Sequence, residues 1–179
     1  MLLLWDWKEC KILGKINIGI TGVPAYMSQK GDQEVEPNFQ ISFNPHESNY
    51  VVVTGYDNYK YYRIEGNEFE PDYIQLHNKE MEITTRYTCH AWMADGKLIV
   101  CTDQGEIILC ETDGSFLGAI MDEGIEPGFK IECITAFSRG FIIAGNGLIY
   151  AFEKSEDPSG PYRMIQGPID VKLEQRDSF

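Results

Sequence analysis

Histidine and aspartate are the residue types of this sequence whose pairing could support acid–base or metal chemistry. The histidines are His46, His77 and His90. A catalytic or metal-bound histidine needs a convergent partner, and for His90 the nearest aspartates along the chain are Asp95 and Asp103. Nothing in their spacing forces them together. We therefore interpret His90 as a packed or edge histidine of a β-strand.

The carboxylates and hydroxyls of the chain have simpler explanations than catalysis. Asp95, Asp103 and Asp113 each precede a glycine directly or one residue on, a pattern typical of tight turns. The serines lack the context of a nucleophile elbow. Glycoside chemistry needs a pair of carboxylates, yet the strands predicted at Phe39–Phe43, Tyr87–Trp92 and Ile131–Phe137 carry only Glu132. The sequence predicts no catalytic residue, no metal site and no cofactor, with a carboxylate-dependent hydrolase as the enzymatic alternative.

Cysteine usage indicates a reducing compartment. The chain has five cysteines, and none forms a Cys-x-x-Cys pair or has a histidine at zinc-site spacing. Most fall inside predicted strands, where a free thiol acts as a small apolar residue. The first residues, MLLLWDWKECK, are too short and too charged for a signal peptide, and no run reaches transmembrane length. We expect an intracellular protein of the cytoplasm.

The charge balance narrows the class of partner. The chain has a formal net charge of −13 and a sequence pI near 4.6. Such a field repels phosphates and anionic lipid headgroups, so neither nucleic acid nor a membrane is an expected partner. The complementary surface is a basic patch on another protein. The same charge also serves to keep a domain soluble.

The elements that hold these residues are short strands joined by tight turns. Residues 87–120 contain four apolar runs separated by Ala94-Asp95-Gly96, Asp103-Gln104-Gly105 and Asp113-Gly114. Glycine at such corners supplies the positive φ of a hairpin turn. Runs rich in Ile, Val, Thr, Tyr and Trp suit strands. The stretch is therefore predicted to be a four-stranded antiparallel meander.

The same arrangement recurs on both sides of this meander. Phe43-Asn44, Trp92-Met93 and Phe137-Ser138 each end a predicted first strand. The second strands are predicted at Tyr50–Gly55, Lys97–Thr102 and Phe141–Asn146, the third at Tyr59–Glu65, Glu106–Thr112 and Leu148–Lys154, and the fourth at Tyr73–Leu76, Ser115–Ile120 and Tyr162–Ile165. A period of about 40–50 residues with four strands per unit is typical of β-propeller blades.

The two ends of the chain add partial units. Leu2–Asp6 aligns with the third strands and ends in the Trp-Asp dipeptide of WD repeats, and Lys11–Ile16 follows as a fourth strand. Ile169–Leu173 alternates apolar and polar residues and is predicted to begin another strand. The predicted fold is all-β, a WD-repeat β-propeller with an incomplete ring of about three and a half four-stranded blades.

Six segments follow from this prediction. They are the second half of a blade at 1–20, an inserted loop at 21–38, blades at 39–78, 79–121 and 122–167, and the start of a next strand or a tail at 168–179. Because open sheet edges leave backbone groups unpaired, we expect another polypeptide or a missing segment to complete the propeller. A four-bladed ring closed by strand exchange between the termini is the alternative.

A tyrosine-rich turn and the inserted loop form the predicted partner-binding surface. Tyr56 and Tyr59 flank a turn that is expected to be exposed, with Asp57 between them. Tyrosine is enriched at binding hot spots, although packing within the core is an equally simple use of these rings. The inserted loop contributes the acidic residues Asp32, Glu34 and Glu36. We expect the turn and the loop to lie on one face.

Three phrases of the sequence resemble a known family, namely QISFNP at 40–45, HAWMADGKLIV at 90–100 and TDQGEI at 102–107. They resemble the propeller regions of cilia- and flagella-associated WD-repeat proteins. The resemblance implies a non-enzymatic scaffold of the ciliary or flagellar axoneme that docks or regulates inner-arm dyneins and neighbouring regulatory complexes. A generic intracellular WD-repeat adaptor, of the vesicle-coat or ubiquitin-ligase type, is the alternative.

Overall fold

Short antiparallel strands make up the described structure. A computed structural model describes residues 1–18, 39–55, 58–72, 76, 86–157 and 160–171. Within these residues the chain forms fourteen strands. The strands fall into four sheets, numbered I to IV in chain order. No helix of the described part is long and apolar enough to cross a membrane. The predicted all-β class is confirmed.

Sheet I has two strands and each of the other sheets has four. Sheet I consists of β1 (Leu2–Asp6) and β2 (Lys11–Ile16). Sheet II consists of β3 (Phe39–Phe43), β4 (Tyr50–Gly55), β5 (Asn58–Glu65) and β6 (Glu68–Asp72). Sheet III consists of β7 (Tyr87–Trp92), β8 (Leu98–Thr102), β9 (Ile107–Cys110) and β10 (Phe116–Ile120). Sheet IV consists of β11 (Cys133–Phe137), β12 (Gly140–Gly145), β13 (Leu148–Lys154) and β14 (Tyr162–Asp170).

The sheets pack against one another in chain order. Within each sheet, consecutive strands pair antiparallel. Between sheets, β2 contacts β6, β3 and β4 contact β7, and β7 contacts β11. The first strands of sheets II to IV therefore lie together on one side of the stack. This radial order, with each sheet a meander, is that of β-propeller blades.

Apolar side chains fill the three junctions between sheets. Strand β8 shows how, because it is buried along its whole length. Its Leu98 and Val100 pack with sheet II, whereas Ile99 and Cys101 pack with sheet IV. A strand with apolar residues on both faces is what a central sheet of the stack requires. The junction of sheets I and II is smaller, and its buried residues are Leu2, Ile18, Val51, Val53 and Tyr62.

Glycines with positive φ close the turns of sheet III. Gly96, Gly105 and Gly114 have φ values of +85°, +83° and +83°. The side chains of Asp95 and Asp113 accept hydrogen bonds from backbone N–H groups two residues on. These Asx-type bonds stabilise the corners. The turn chemistry predicted for this meander is confirmed.

The position predicted for the fourth strand of sheet II, Tyr73–Leu76, is wrong because that strand lies earlier, at Glu68–Asp72, and residues 73–75 lie outside the described residues. The strand is β6, whose Phe69 pairs with Ile64 and whose Glu68 pairs with Glu65. The chain can reverse at once because Gly66 adopts a φ of +60°. Pro71 is tolerated because β6 is an edge strand of its sheet. Its acidic residues and proline are unfavourable for a strand, which is why sequence patterning passes over it.

The end of sheet IV also differs from the prediction. Ile169 pairs with Ile149 and Asp170 pairs with Leu148. These two residues therefore continue β14 and do not begin a new strand at 168. The additional pairing occurs because β13 begins at Leu148, so its first two residues are available to pair with Ile169 and Asp170. The predicted inserted loop at 21–38 lies outside the described residues.

Candidate functional site

His90 is a polar residue that forms hydrogen bonds with both of its ring nitrogens. It lies on β7 and is buried. Its Nε2 is 2.7 Å from the Ser42 hydroxyl on β3, and its Nδ1 is 2.8 Å from the Thr54 hydroxyl on β4. A neutral imidazole has one donor and one acceptor, so one hydroxyl donates to the ring and the other accepts from it. His90 thus connects two strands of sheet II to sheet III.

Two further side chains extend this connection. The Gln40 amide donates to the His90 carbonyl oxygen at 2.8 Å, and its own oxygen accepts from the His90 N–H at 2.8 Å. The indole N–H of Trp92 donates to the Ser42 hydroxyl at 3.0 Å. Hydrogen bonds that leave no buried polar group unsatisfied make such a network stabilising. We call Gln40, Ser42, Thr54, His90 and Trp92 the His90 cluster.

The Ser42–His90 pair has the geometry of a nucleophile beside a base, but not the chemistry of one. Burial lowers the pKa of His90 to about 4, which makes it a poor base near neutral pH. The group on its other nitrogen is the neutral Thr54 hydroxyl, and a carboxylate is needed there to stabilise an imidazolium. A groove of about 830 Å³ lies elsewhere, along β10. The prediction that His90 is a packed histidine is confirmed.

A second set of polar contacts joins the same two sheets. The Tyr61 hydroxyl donates to the Thr112 carbonyl oxygen at 2.7 Å. The amide of Asn44 also donates to that oxygen, at 3.4 Å, and its own oxygen accepts from the backbone N–H of His46 and Glu47. Tyr61 and Asn44 are both buried. Desolvation raises the pKa of Tyr61 to about 12, so its hydroxyl remains a donor.

The structure places one of the predicted binding residues against the next sheet. Tyr59 was expected at an exposed tip, and that expectation is wrong, because its ring packs 5.8 Å from that of Tyr87. Its hydroxyl donates to the Gly114 carbonyl oxygen at 2.9 Å, and desolvation by burial raises its pKa. Tyr59 therefore takes the core-packing role. The other predicted binding residues, Tyr56, Asp57, Asp32, Glu34 and Glu36, lie outside the described residues, and their role stays a prediction.

No group of three or more metal-ligating side chains occurs among the residues that the structure describes. The five cysteines are free thiols, of which Cys89, Cys101 and Cys110 are buried. Burial raises the pKa of Cys110 to about 12, which keeps it protonated and unreactive. The polar groups of the described part that are discussed above therefore join sheets.

Sequence reasoning missed the His90 cluster, although one signal for it exists. Strand β3 alternates strictly, with polar Gln40 and Ser42 between apolar neighbours. The usual interpretation buries the apolar set. Here Gln40 and Ser42 face sheet III, while Ile41 and Phe43 remain 44% and 52% exposed. A polar residue paired across 48 positions leaves no local pattern that would reveal its partner.

The exposed residues of β3 mark a place where sheet II lacks cover. Val51 and Val53 of β4, which pair with Phe43 and Ile41, are buried by sheet I. Among the described residues sheet I consists of β1 and β2, and β2 contacts β6 of sheet II. Sheet I therefore packs over β4 but does not extend over the exposed side chains of β3.

Comparisons with known proteins agree with the β-propeller architecture. No protein-family model matches the chain. The chain is 25% identical over 135 residues to cilia- and flagella-associated protein 57 A of Tetrahymena thermophila, which is 73% of this chain and 10% of that protein. It is 25% identical over 111 residues to cilia- and flagella-associated protein 57 of Mus musculus, which is 62% of this chain and 7% of that protein. The resemblance to cilia- and flagella-associated proteins is confirmed, over a small part of their length.

A solved structure gives the same fold. The β-propeller domain of Cps50 (Swd1) from Myceliophteria thermophila superposes with a TM-score of 0.63 at 12% identity. The superposition covers 90% of this chain and 49% of that one. The chain therefore has the WD-repeat β-propeller fold and spans about half the length of that propeller chain.

Proposed function

We propose that this chain is part of a ciliary WD-repeat propeller that serves as a non-enzymatic scaffold for docking proteins. The observation that carries the proposal is the His90 cluster. Ser42 and His90 hydrogen-bond to each other across two sheets. Thr54 bonds to the other ring nitrogen of His90, and the Trp92 indole N–H donates to the Ser42 hydroxyl. What remains is a stack of sheets packed through apolar cores, which suits a docking platform. Similarity to cilia- and flagella-associated protein 57 supports the ciliary setting.

Further β-strands complete the propeller in this proposal. They come from another polypeptide or from a segment of a longer chain, pair with the free edge of β1 and cover Ile41 and Phe43. Burying the exposed part of such side chains contributes about 1 kcal/mol each, at roughly 25 cal/mol per Å². Pairing also removes an open edge that would otherwise recruit other chains. The segment boundaries at 39–78 and 79–121 describe the blades of that ring.

The partners in this proposal are proteins of the axoneme. Inner-arm dyneins and neighbouring regulatory complexes are the specific candidates, and the net charge of −13 favours a basic surface on them. The same charge argues against nucleic acid and membrane as partners. Tyr56 and Asp57, with Asp32, Glu34 and Glu36, make the contacts. Tyr59 contributes indirectly, because its bond to Gly114 anchors the strand that follows the turn.

The test uses the full-length protein that contains this chain, tagged and expressed in a ciliated cell from which the native copy has been removed. We expect the tagged protein to remain with axonemes after the membrane and soluble matrix have been extracted with detergent. We also expect the Tyr56→Ala, Asp57→Ala double variant to reduce the inner-arm dynein content of those axonemes, with His46→Gln as the matched control. Extraction of the wild-type protein with the matrix would overturn the scaffold proposal. An unchanged dynein content would overturn only the choice of partner.

A further inference from the structure

An open groove runs along the outer strand of sheet III. It has a volume of about 830 Å³. Its lining includes Ile108, Phe116 and Ala119, which lie on β9 and β10, and Met121 and Ile125, which follow β10. Volumes of roughly 300–1,000 Å³ are typical of sites that hold a ligand or a short peptide. Ile107 and Ile120, which belong to the core between sheets III and IV, also line the groove, so the groove borders that core.

Two apolar residues that line the groove, Phe116 and Met121, are exposed. Phe116 is 50% exposed and Met121 is 92% exposed. Leu117, next along β10, is 45% exposed. Strand β10 pairs with β9 on one edge only, so its other edge has no described strand beside it. The groove therefore combines uncovered apolar side chains with an open strand edge, the two features used when an extended segment is added to a sheet.

The charge around the groove has one sign. Between Asp103 and Phe129 the chain has seven acidic residues and no lysine or arginine. Glu106 and Glu123 line the groove. Neither has an ion-pair partner among the described residues, whereas Asp103 and Glu111 pair with Arg86 and Lys97. The potential at the groove therefore favours a positively charged occupant.

We propose that this groove binds an extended segment of a partner protein in which lysine or arginine alternates with apolar residues. An apolar side chain of the segment packs between Phe116 and Met121, and its cations approach Glu106 and Glu123. The segment lies along β10, where it can add to the sheet edge. The site is independent of the completion of the propeller at β1, because it lies on a different sheet.

The probe is a fluorescein-labelled peptide of sequence Lys-Val-Lys-Leu-Lys-Val-Lys, titrated with the full chain and followed by fluorescence anisotropy. We expect saturable binding that weakens with added salt, and no binding of the peptide with glutamate in place of each lysine. The double variant Glu106→Gln, Glu123→Gln should weaken binding about three- to tenfold, since exposed charge pairs contribute modestly. Phe116→Ser should weaken it about tenfold or more, since an apolar anchor dominates such contacts.

Matched controls separate the groove from the overall charge. Glu156→Gln with Asp170→Asn removes two exposed carboxylates elsewhere, and Ile165→Ser removes an exposed apolar side chain from sheet IV. Each should change the dissociation constant less than about twofold. Equal weakening by the groove and control charge variants would overturn the proposal, as would the absence of saturable binding. If Phe116→Ser fails to fold, the charge variants alone decide.

Discussion

The hydroxyl of Ser42 and the Nε2 atom of His90 lie 2.7 Å apart across the junction between two neighbouring sheets. Because the ring is buried, this bond and the one to Thr54 are shielded from water. Removing only one of the two groups of a buried hydrogen bond is costly, because the other group is left buried and unsatisfied. The stability of the sheet stack should therefore depend strongly on this one residue.

Replacing His90 should destabilise the fold. In His90→Ala, the Ser42 and Thr54 hydroxyls lose their shared partner inside the protein, and a cavity remains. We expect a loss of about 3–4 kcal/mol in the free energy of unfolding. Urea unfolding followed by circular dichroism measures it, with exposed His46→Ala as the control. A difference between the two variants below about 1 kcal/mol would contradict the role assigned to the cluster.

The same residue should make stability depend on pH. The folded pKa of His90 is lowered from 6.5 to about 4, so the unfolded state binds more protons between these values. The contribution of neutral His90 to the free energy of unfolding is therefore fully present above pH 6.5 and is lost as the pH falls toward 4. The total loss amounts to about 3 kcal/mol. Urea unfolding at intervals across this window measures the slope. In His90→Gln, which does not titrate, the part of the slope due to this group should disappear, and an unchanged slope would refute the assignment.

The Tyr61 hydroxyl should contribute a measurable part of the contact between sheets II and III. Tyr61→Phe removes its 2.7 Å bond to the Thr112 carbonyl oxygen and leaves the ring packing intact. We expect a loss of about 1–2 kcal/mol. The control is Tyr50→Phe, whose ring lies 5.4 Å from that of Tyr61 but whose hydroxyl makes no hydrogen bond to a described residue. Equal effects of the two substitutions on the unfolding midpoint would argue against this bond.

Trp92 and Trp7 should differ sharply when truncated. The Trp92 ring is half-buried, lies 6.3 Å from that of Tyr61 and donates to Ser42. Trp92→Ala should cost about 2–4 kcal/mol. Trp7 is 75% exposed, so Trp7→Ala should stay within about 0.5 kcal/mol of the wild type. The unfolding midpoint of each variant in urea is the measurement, and a neutral Trp92→Ala would disprove the junction described above.

The sequence predicts the hairpins well and the junctions poorly, for a physical reason. Asp-Gly corners act within four residues, so the turns at Gly96 and Gly114 follow from local chemistry. Strand β6 escapes prediction because its register depends on the preceding strand and not on its own residues. The contact between Ser42 and His90 depends on how two sheets meet. That arrangement is tertiary, and the alternation of β3 alone suggests the opposite orientation.

The central claim is that these sheets are blades of a ring whose remaining strands pair with β1 and cover Ile41 and Phe43. Sedimentation velocity of the full chain, at concentrations from about 1 to 50 μM, tests it most directly, because an uncovered apolar face and open edge promote association. We expect concentration-dependent oligomers, shifted toward the monomer in the double variant Ile41→Ser, Phe43→Ser. A single monomeric species throughout the range, identical in the wild type and in the variant, would contradict the claim.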